Sequence, residues 1–415
     1  MATIKLNSVP TLVESPFIIV TIGKYTLGSY TGNKTTTSLG MLAQVNFPNF
    51  VNSLNITKVN GTVNTYTIGI VYQIAPGDDP NLIDKIFSSV SATRKLSLSY
   101  GDWRNPASIY KEETALITNV TSSLDMSASK ITYTVQCVSD ALSLASAVYD
   151  FPAREAKPSD IIKEMIKDVS YGLLSVFKGM VDFQRVLTNG LIASNDKKVK
   201  IEARQNMNII EYLNFLVGAM TPVDSKSEDT IIQAGNYFLA IHDDITNALG
   251  GTYFEVKEVK ADTKVSNYDV YEVDVGYPGD NFVTQFNLSN NQQYTILYDY
   301  AGKIEQTKYI YSIDNNGQLS TQYAPSIARS KSLYKVTEQN KSWWSKVTQF
   351  PIEATLTIKG LTRPSILMSQ VRINTVMYGQ KHISSGLYII TKHQDKLDSN
   401  GYTTTLTLLR IGGDE

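Results

Sequence analysis

A mainly β chain carrying α+β insertions is predicted by three observations. The first is an internal repeat: Ile117 to Thr134 and Ile390 to Thr407 both read I-T-x5-L-D-x6-T-x-T, and self-similarity of this kind marks a duplicated structural unit. The second is a series of short β-branched and aromatic segments, bounded by Gly, Asn or Pro, near both ends of the chain. The third is a change to helical spacing after Phe151-Pro152. Together they predict two similar β units, each a sandwich or a barrel built on one copy of the repeat, with a small α/β domain and a Tyr-rich β region between them. Chance is the alternative to duplication, because Thr is abundant and the identical positions are few.

Residues 1–150 are assigned to the first barrel. Phe17 to Thr21, Val63 to Tyr72 and Lys95 to Tyr100 read as strands. One helix interrupts them, since Asp79 is placed to cap, Pro80 suits a first helical position, and Leu82, Ile83 and Ile86 form an apolar stripe that would plug or flank the barrel. In the repeated hairpins Lys130, Thr132 and Thr134 share one face, as Thr403, Thr405 and Thr407 do, with Tyr133, Val135, Leu406 and Leu408 opposite.

Residues 151–250 are assigned to the α/β domain. Pro158, Ser159 and Asp160 open a helix in which Ile161, Ile162, Met165, Ile166 and Val169 recur at helical spacing, and Lys198 to Glu202 reads as a strand. Asn208 with Glu211 has capping-box spacing; the helix it opens runs through Leu213, Phe215 and Leu216 until Thr221-Pro222 ends it. Gly250-Gly251 marks the boundary. Residues 251–349 combine strands rich in tyrosine, including Tyr268, Tyr271, Tyr294 and Tyr298, with a polar loop or arm from Asp314 to Ser345. Residues 350–415 return to strands: Ile352 to Ile358, Arg372 to Met377, Gly386 to Thr391, and Tyr402 to Ile411 after the Asp398-Ser399-Asn400-Gly401 turn.

Composition excludes several classes of function. At roughly 150 residues per domain, 415 residues make two to four domains. A net charge of -1 with 19 % charged residues leaves no basic footprint for gripping nucleic acid. The single cysteine, Cys137, excludes an intrachain disulfide and a Cys-based zinc cage; on the apolar face of a repeated strand it is expected to be a buried thiol. The amino terminus lacks a secretion signal, and no apolar run approaches the roughly 20 residues that span a bilayer. A cytoplasmic origin without membrane insertion is expected, so the sequons at Asn55, Asn119 and Asn340 carry no glycosylation signal.

Catalytic vocabulary is sparse. There is no Walker lysine loop, dinucleotide fingerprint, G-x-S-x-G elbow or H-E-x-x-H helix among residues that include only three histidines. His242-Asp243-Asp244 is the best metal or acid/base candidate, but strand neighbours point apart, so a solvated strand end is expected; His393 is assigned a structural role. Asp78-Asp79 and Glu112-Glu113 are paired carboxylates, the first read as turn and capping chemistry and the second as lying just before a strand. Trp343-Trp344, flanked by Lys341 and Lys346, suits a partner interface, a buried fold-over or sugar stacking. No cofactor, metal or catalytic residue is expected.

The order of pieces, with Lys157-Pro158-Ser159-Asp160-Ile161-Ile162 opening the helical domain and the hairpin from Leu387 to Leu406 closing the chain, resembles the baseplate (tail) hub family of contractile-tailed bacteriophages, related to the hub part of type VI secretion spikes. The resemblance implies two similar tube-type β-barrels per chain and a homotrimer whose six barrels match the tail tube above and a three-fold spike below. It also implies contact with baseplate wedge proteins, transient passage of DNA and a tape-measure protein, and a place in the virion's tail baseplate after assembly in the host cytoplasm. Thr132, Thr134, Thr405 and Thr407 are then candidates for lining the channel, with outside solvent as their alternative. Trp343, Trp344, Tyr294 and Tyr298 are candidates for interfaces. The rival readings are a tail protein that binds or hydrolyses cell-wall glycan and a secretion-system spike subunit.

Overall fold

The structure is a computed structural model that describes residues 16–23, 25–30, 50–88, 95–102, 110–139, 141–168, 187–188, 196, 198–220, 236–243, 252–259, 269–275, 283–290, 309–313, 319–323, 352–360 and 367–412. Its N-terminal lobe contains β1 (Pro16–Ile22), β2 (Tyr25–Tyr30), β3 (Val51–Val59), β4 (Thr65–Gln73), α1 (Leu82–Ser88), β5 (Lys95–Asp102), β6 (Tyr110–Asp125) and β7 (Lys130–Val138). The strands pair antiparallel in the order β3-β4-β7-β6-β5-β1-β2. Alternation turns Leu54, Ile56, Ile68, Ile70, Tyr133 and Val135 into one core, where Ile83 and Ile86 of α1 also pack. Each such side chain contributes about 1.5–3 kcal/mol by leaving water. Helix α1 starts after Pro80 instead of at it: the Asp79 carboxylate accepts the Asn81 N–H (3.0 Å) and the Asp79 carbonyl accepts the Leu82 N–H (3.2 Å), so Asp79 and Pro80 shape the turn leading in.

The next unit contains α2 (Leu142–Ser146), β8 (Val148–Phe151), β9 (Arg154–Ala156), α3 (Pro158–Asp168), β10 (Leu187–Thr188), β11 (Val199–Ile201), β12 (Arg204–Asn208), α4 (Ile209–Ala219), β13 (Asn236–Asp243) and β14 (Thr252–Val259). The capping box forms, with the Asn208 side chain accepting the Glu211 N–H (2.8 Å) and the Glu211 carboxylate accepting the Asn208 N–H (3.1 Å). Ile210, Leu213 and Leu216 of α4 pack with Ile161 and Ile162 of α3 and with Leu239 and Ile241 of β13. Because β14 pairs with β13, Phe254 and Val256 join this core and the unit continues past Gly250.

The remaining strands are β15 (Asp269–Val275), β16 (Val283–Asn290), β17 (Tyr309–Ile313), β18 (Leu319–Tyr323), β19 (Ile352–Lys359), β20 (Gln370–Met377), β21 (Gln380–Lys381), β22 (Gly386–Asp398) and β23 (Gly401–Gly412). Strand β18, inside the stretch expected to be a loop or arm, forms a hairpin with β17. From the Tyr-rich region β15 pairs parallel with β20 and β16 pairs antiparallel with β19, so both belong to the C-terminal lobe, where Tyr271 is buried.

Strand β22 does not end at Thr391. Its first part pairs with β20 (Gly386 opposite Ile373), its second part pairs with β3 (Leu397 opposite Leu54), and β23 follows its other edge throughout. One 14-stranded sheet therefore wraps two cores. Leu397 and Tyr402 enter the first, while Leu387, Ile389, Leu406 and Leu408 fill the second.

Both copies of the repeat bulge at the same residue. Register shifts between Ile117 and Asn119 against β7, and between Ile390 and Lys392 against β23. The intervening Thr118 and Thr391 donate their hydroxyls to the carbonyls of Gln136 (3.0 Å) and Thr407 (3.2 Å), so the repeated Ile-Thr encodes a bulge and its hydrogen bond. The turns differ, since Asp125 opposes Lys130 whereas Asp398 opposes Gly401. Consequently Thr134 faces Thr121 in the first copy, and Thr405 faces Gln394 in the second, a two-residue offset from the gapless alignment. An even offset leaves every side chain on its original face.

The turn at residues 60–64 is where the three units meet. Gly61 N–H donates to the Leu239 carbonyl (2.8 Å), Asn60 N–H to the Thr391 carbonyl (3.0 Å), the Asn64 amide to the Ile241 carbonyl (3.2 Å), and the Asn214 amide to the Gly61 carbonyl (2.6 Å). Alternation along β13 sends Leu239 and Ile241 into the α/β core and Ala240 into the C-terminal core.

Candidate assembly surface

Side chains turned away from the cores form a polar band across the sheet. One row runs through Thr357, Thr405, Gln394 and Thr57 on β19, β23, β22 and β3. Another runs through Thr403, Lys396, Asn55, Thr67 and Gln136 on β23, β22, β3, β4 and β7. Neighbours are linked: Thr357 and Thr405 hydroxyls are 3.4 Å apart, and the Gln394 amide donates to Asn55 (3.3 Å). Since β22 crosses between lobes, the band is continuous over both. Beside the two hairpin turns Lys130 lies 3.5 Å from Asp125 and Lys396 lies 2.9 Å from Asp398. The Lys396 hydrogen bond is the main reason the Asp398 carboxyl falls below its ordinary pKa.

Thr132, Thr134, Thr405 and Thr407 all stand on this band, half-buried, and Tyr133, Val135, Leu406 and Leu408 are buried behind them. Trp343, Trp344, Tyr294 and Tyr298 lie outside the described residues. Exposed apolar side chains that the sequence did not single out occur at the β6–β7 turn (Leu124 and Met126) and beside β20 (Tyr378 and Ile383).

The second of these patches is held rigidly from below. Arg410, 1 % exposed, donates to the carbonyls of Ile383 and Ser385, both at 2.7 Å. Tyr388 donates to the Ser384 carbonyl (2.7 Å), and the Ser385 hydroxyl accepts the Thr375 N–H (2.9 Å) while donating to the Thr375 carbonyl (3.0 Å). A cleft of about 340 Å³ lies between this segment, β15 and β16, lined by Val273, Phe286, Leu288, Met377, His382 and Ser384. Arg410 gives no warning in sequence, because it occupies an inward position that follows the apolar inward residues Leu406 and Leu408.

The candidate chemical residues are dispersed. His242 is buried instead of solvated, because pairing with β14 covers it and places its Nε2 2.8 Å from the Glu255 carboxylate. Asp244 lies outside the described residues. Among the described residues no three His, Cys, Asp or Glu side chains gather to hold a metal. Asp78 accepts the Ala75 N–H (2.8 Å), as turn chemistry requires. Glu112 and Glu113 lie inside β6, which already begins at Tyr110, and not ahead of it; Glu112 stands opposite Leu98, and Glu113 falls in the register shift that follows.

Cys137 is buried, and burial pushes its thiol from an ordinary 9.0 up to about 12. The native thiol is therefore expected to resist alkylation at pH 8 and to react on unfolding. The unfolded chain loses this proton first, so stability drains away as pH rises from about 9 to about 12. Rapid native-state labelling at pH 8, read by intact mass, would contradict this placement.

The architecture matches a solved protein along almost its whole length. The tail protein from Neisseria meningitidis MC58 superposes with a TM-score of 0.50 over 96 % of this chain and 97 % of that one, at 9 % identity. The chain shares the fold of that tail protein. Also similar are the 43 kDa tail protein of prophage MuSo2 from Shewanella oneidensis (TM-score 0.49, 11 % identity, 96 % and 99 % of the two chains) and an Escherichia coli component of the type VI secretion system described as structurally similar to phage T4 tail proteins gp27 and gp5 (TM-score 0.45, 9 % identity, 88 % and 75 %). No family model matches the sequence, and no curated protein sequence does. At 9 % identity the two chains share few side chains.

Proposed function

We propose that this chain is a structural subunit of a bacteriophage tail, a baseplate hub that closes as a homotrimer between a six-fold tail tube and a three-fold spike. The observation that carries the reading is the pair of sheet lobes joined through β22 and β23, each lobe containing a hairpin bulged at the repeated Ile-Thr. If each lobe is one tube-type barrel, three chains present six like units upward and three-fold symmetry downward. A ring would also cover sheet edges that would otherwise invite aggregation.

The polar band, including Thr132, Thr134, Thr405 and Thr407, is assigned to the channel wall. Hydroxyls and amides keep such a wall wet, and lysines matched by Asp125 and Asp398 do not retain a passing polyanion. DNA and a tape-measure protein would pass here. Trp343, Trp344, Tyr294 and Tyr298 are assigned to contacts with neighbouring copies, tube, spike or wedge proteins, since aromatic side chains dominate such interfaces. The role is mechanical, without catalysis, and its place is the virion baseplate. Mass photometry of the protein alone and mixed with its tail's spike tests the stoichiometry: trimers, at least with spike present, are expected. Persistent dimers or hexamers, or a monomer with every tail partner, would overturn it.

A further inference from the structure

Between the two sheet cores lies a small polar layer. Lys58 on β3, His393 and Asp395 on β22, and Thr404 on β23 are each at most 2 % exposed. Lys58 stands opposite His393, and Asp395 opposite Thr404. The Thr404 hydroxyl donates to Asp395 Oδ1 (2.6 Å), and His393 Nε2 lies 3.0 Å from Asp395 Oδ2, off the line of a hydrogen bond. His393 Nδ1 is buried with no hydrogen-bond partner among the described residues.

Burial free energy alone does not select such an arrangement, because buried ion pairs give little net stability over well-packed apolar replacements. Their best-attested use is to fix register. Register is at issue here. A one-residue slip of the β22–β23 hairpin along β3 would turn its faces inside out, but a two-residue slip would not. The apolar neighbours Leu54, Ile56 and Leu397 discriminate poorly between positions two residues apart. The polar residues do discriminate: one slip carries His393 from Lys58 to Ile56 and Asp395 from Ile56 to Leu54, and the other carries His393 to Asn60 and breaks the bond from the Asn60 N–H to the Thr391 carbonyl, which moves with β22.

We propose that Lys58, His393, Asp395 and Thr404 form a register lock that fixes where the β22–β23 hairpin docks on β3, and thereby holds the two lobes in one relative position. The test uses the full chain, spin-labelled at Ser123→Cys on β6 and Glu353→Cys on β19, both exposed; the buried Cys137 thiol takes no label. Double electron–electron resonance is expected to give one narrow distance. In the Lys58→Met, His393→Leu, Asp395→Leu, Thr404→Val variant a second population should appear, displaced by up to about 7 Å, the length of two strand residues, with no fall in the unfolding midpoint. A single unchanged distance overturns the proposal. Should that variant not fold, Asp395→Asn decides, since it keeps the volume and an acceptor for Thr404: a second distance supports the lock and a single one overturns it.

Discussion

Arg410→Ala is expected to destabilise the protein by about 3–5 kcal/mol, measured by chemical denaturation. The loss has two sources. Truncating a large, fully buried side chain leaves a cavity in the C-terminal core, which by itself costs about 2–5 kcal/mol. It also strips donors from the carbonyls of Ile383 and Ser385, and a buried acceptor left unpaired costs about 1–3 kcal/mol. Arg410→Met separates the two, because it keeps most of the volume and none of the donors. Its expected cost is about 1–3 kcal/mol, and faster amide exchange at residues 382–385 should accompany it. A loss below about 1 kcal/mol for Arg410→Ala would mean that the segment needs no such anchor.

Gly61→Ala is expected to cost about 2–4 kcal/mol and to loosen the contact between all three units. Gly61 has a φ of 71°, a conformation disfavoured for residues with a Cβ. An added Cβ would sit 2.2 Å from Asn214 Oδ1, forcing away the amide that donates to the Gly61 carbonyl. The neighbouring bonds to Leu239 and Thr391 share the same turn and should weaken with it. A double-mutant cycle with Asn214→Ala isolates the clash: part of the Gly61→Ala loss should disappear in that background, leaving the backbone strain. Strict additivity would place the origin of the loss elsewhere.

The parts of this fold that are legible in sequence are those whose partners are close along the chain. The Asn208–Glu211 capping box, the Asp398 to Gly401 turn and the alternation in β7 and β19 all complete themselves within one element. Strand β22 is harder to read past Thr391, because His393 and Asp395 put ionisable residues at inward positions where alternation demands apolar ones. Those residues make sense only beside Lys58, which is distant in sequence. The pairing of β15 with β20 and of β14 with β13 likewise has no local signal, which is why the Tyr-rich region reads as separate and Gly250-Gly251 reads as an end. The repeat reveals the bulge but hides the different turn lengths, since a two-residue offset preserves every face. The four threonines could be placed on a face by parity, whereas the band that contains them arises from strands assembled out of sequence order.

In the proposed hub the two lobes of one chain stand side by side in a ring around a channel. Cryo-electron microscopy of the protein assembled with the tube and spike proteins of its own tail tests it most directly. The expected reconstruction has three copies, six sheet lobes at one level, and Thr132, Thr134, Thr405 and Thr407 facing the axis. A ring of any other stoichiometry, or one in which these threonines face outer solvent, would contradict it.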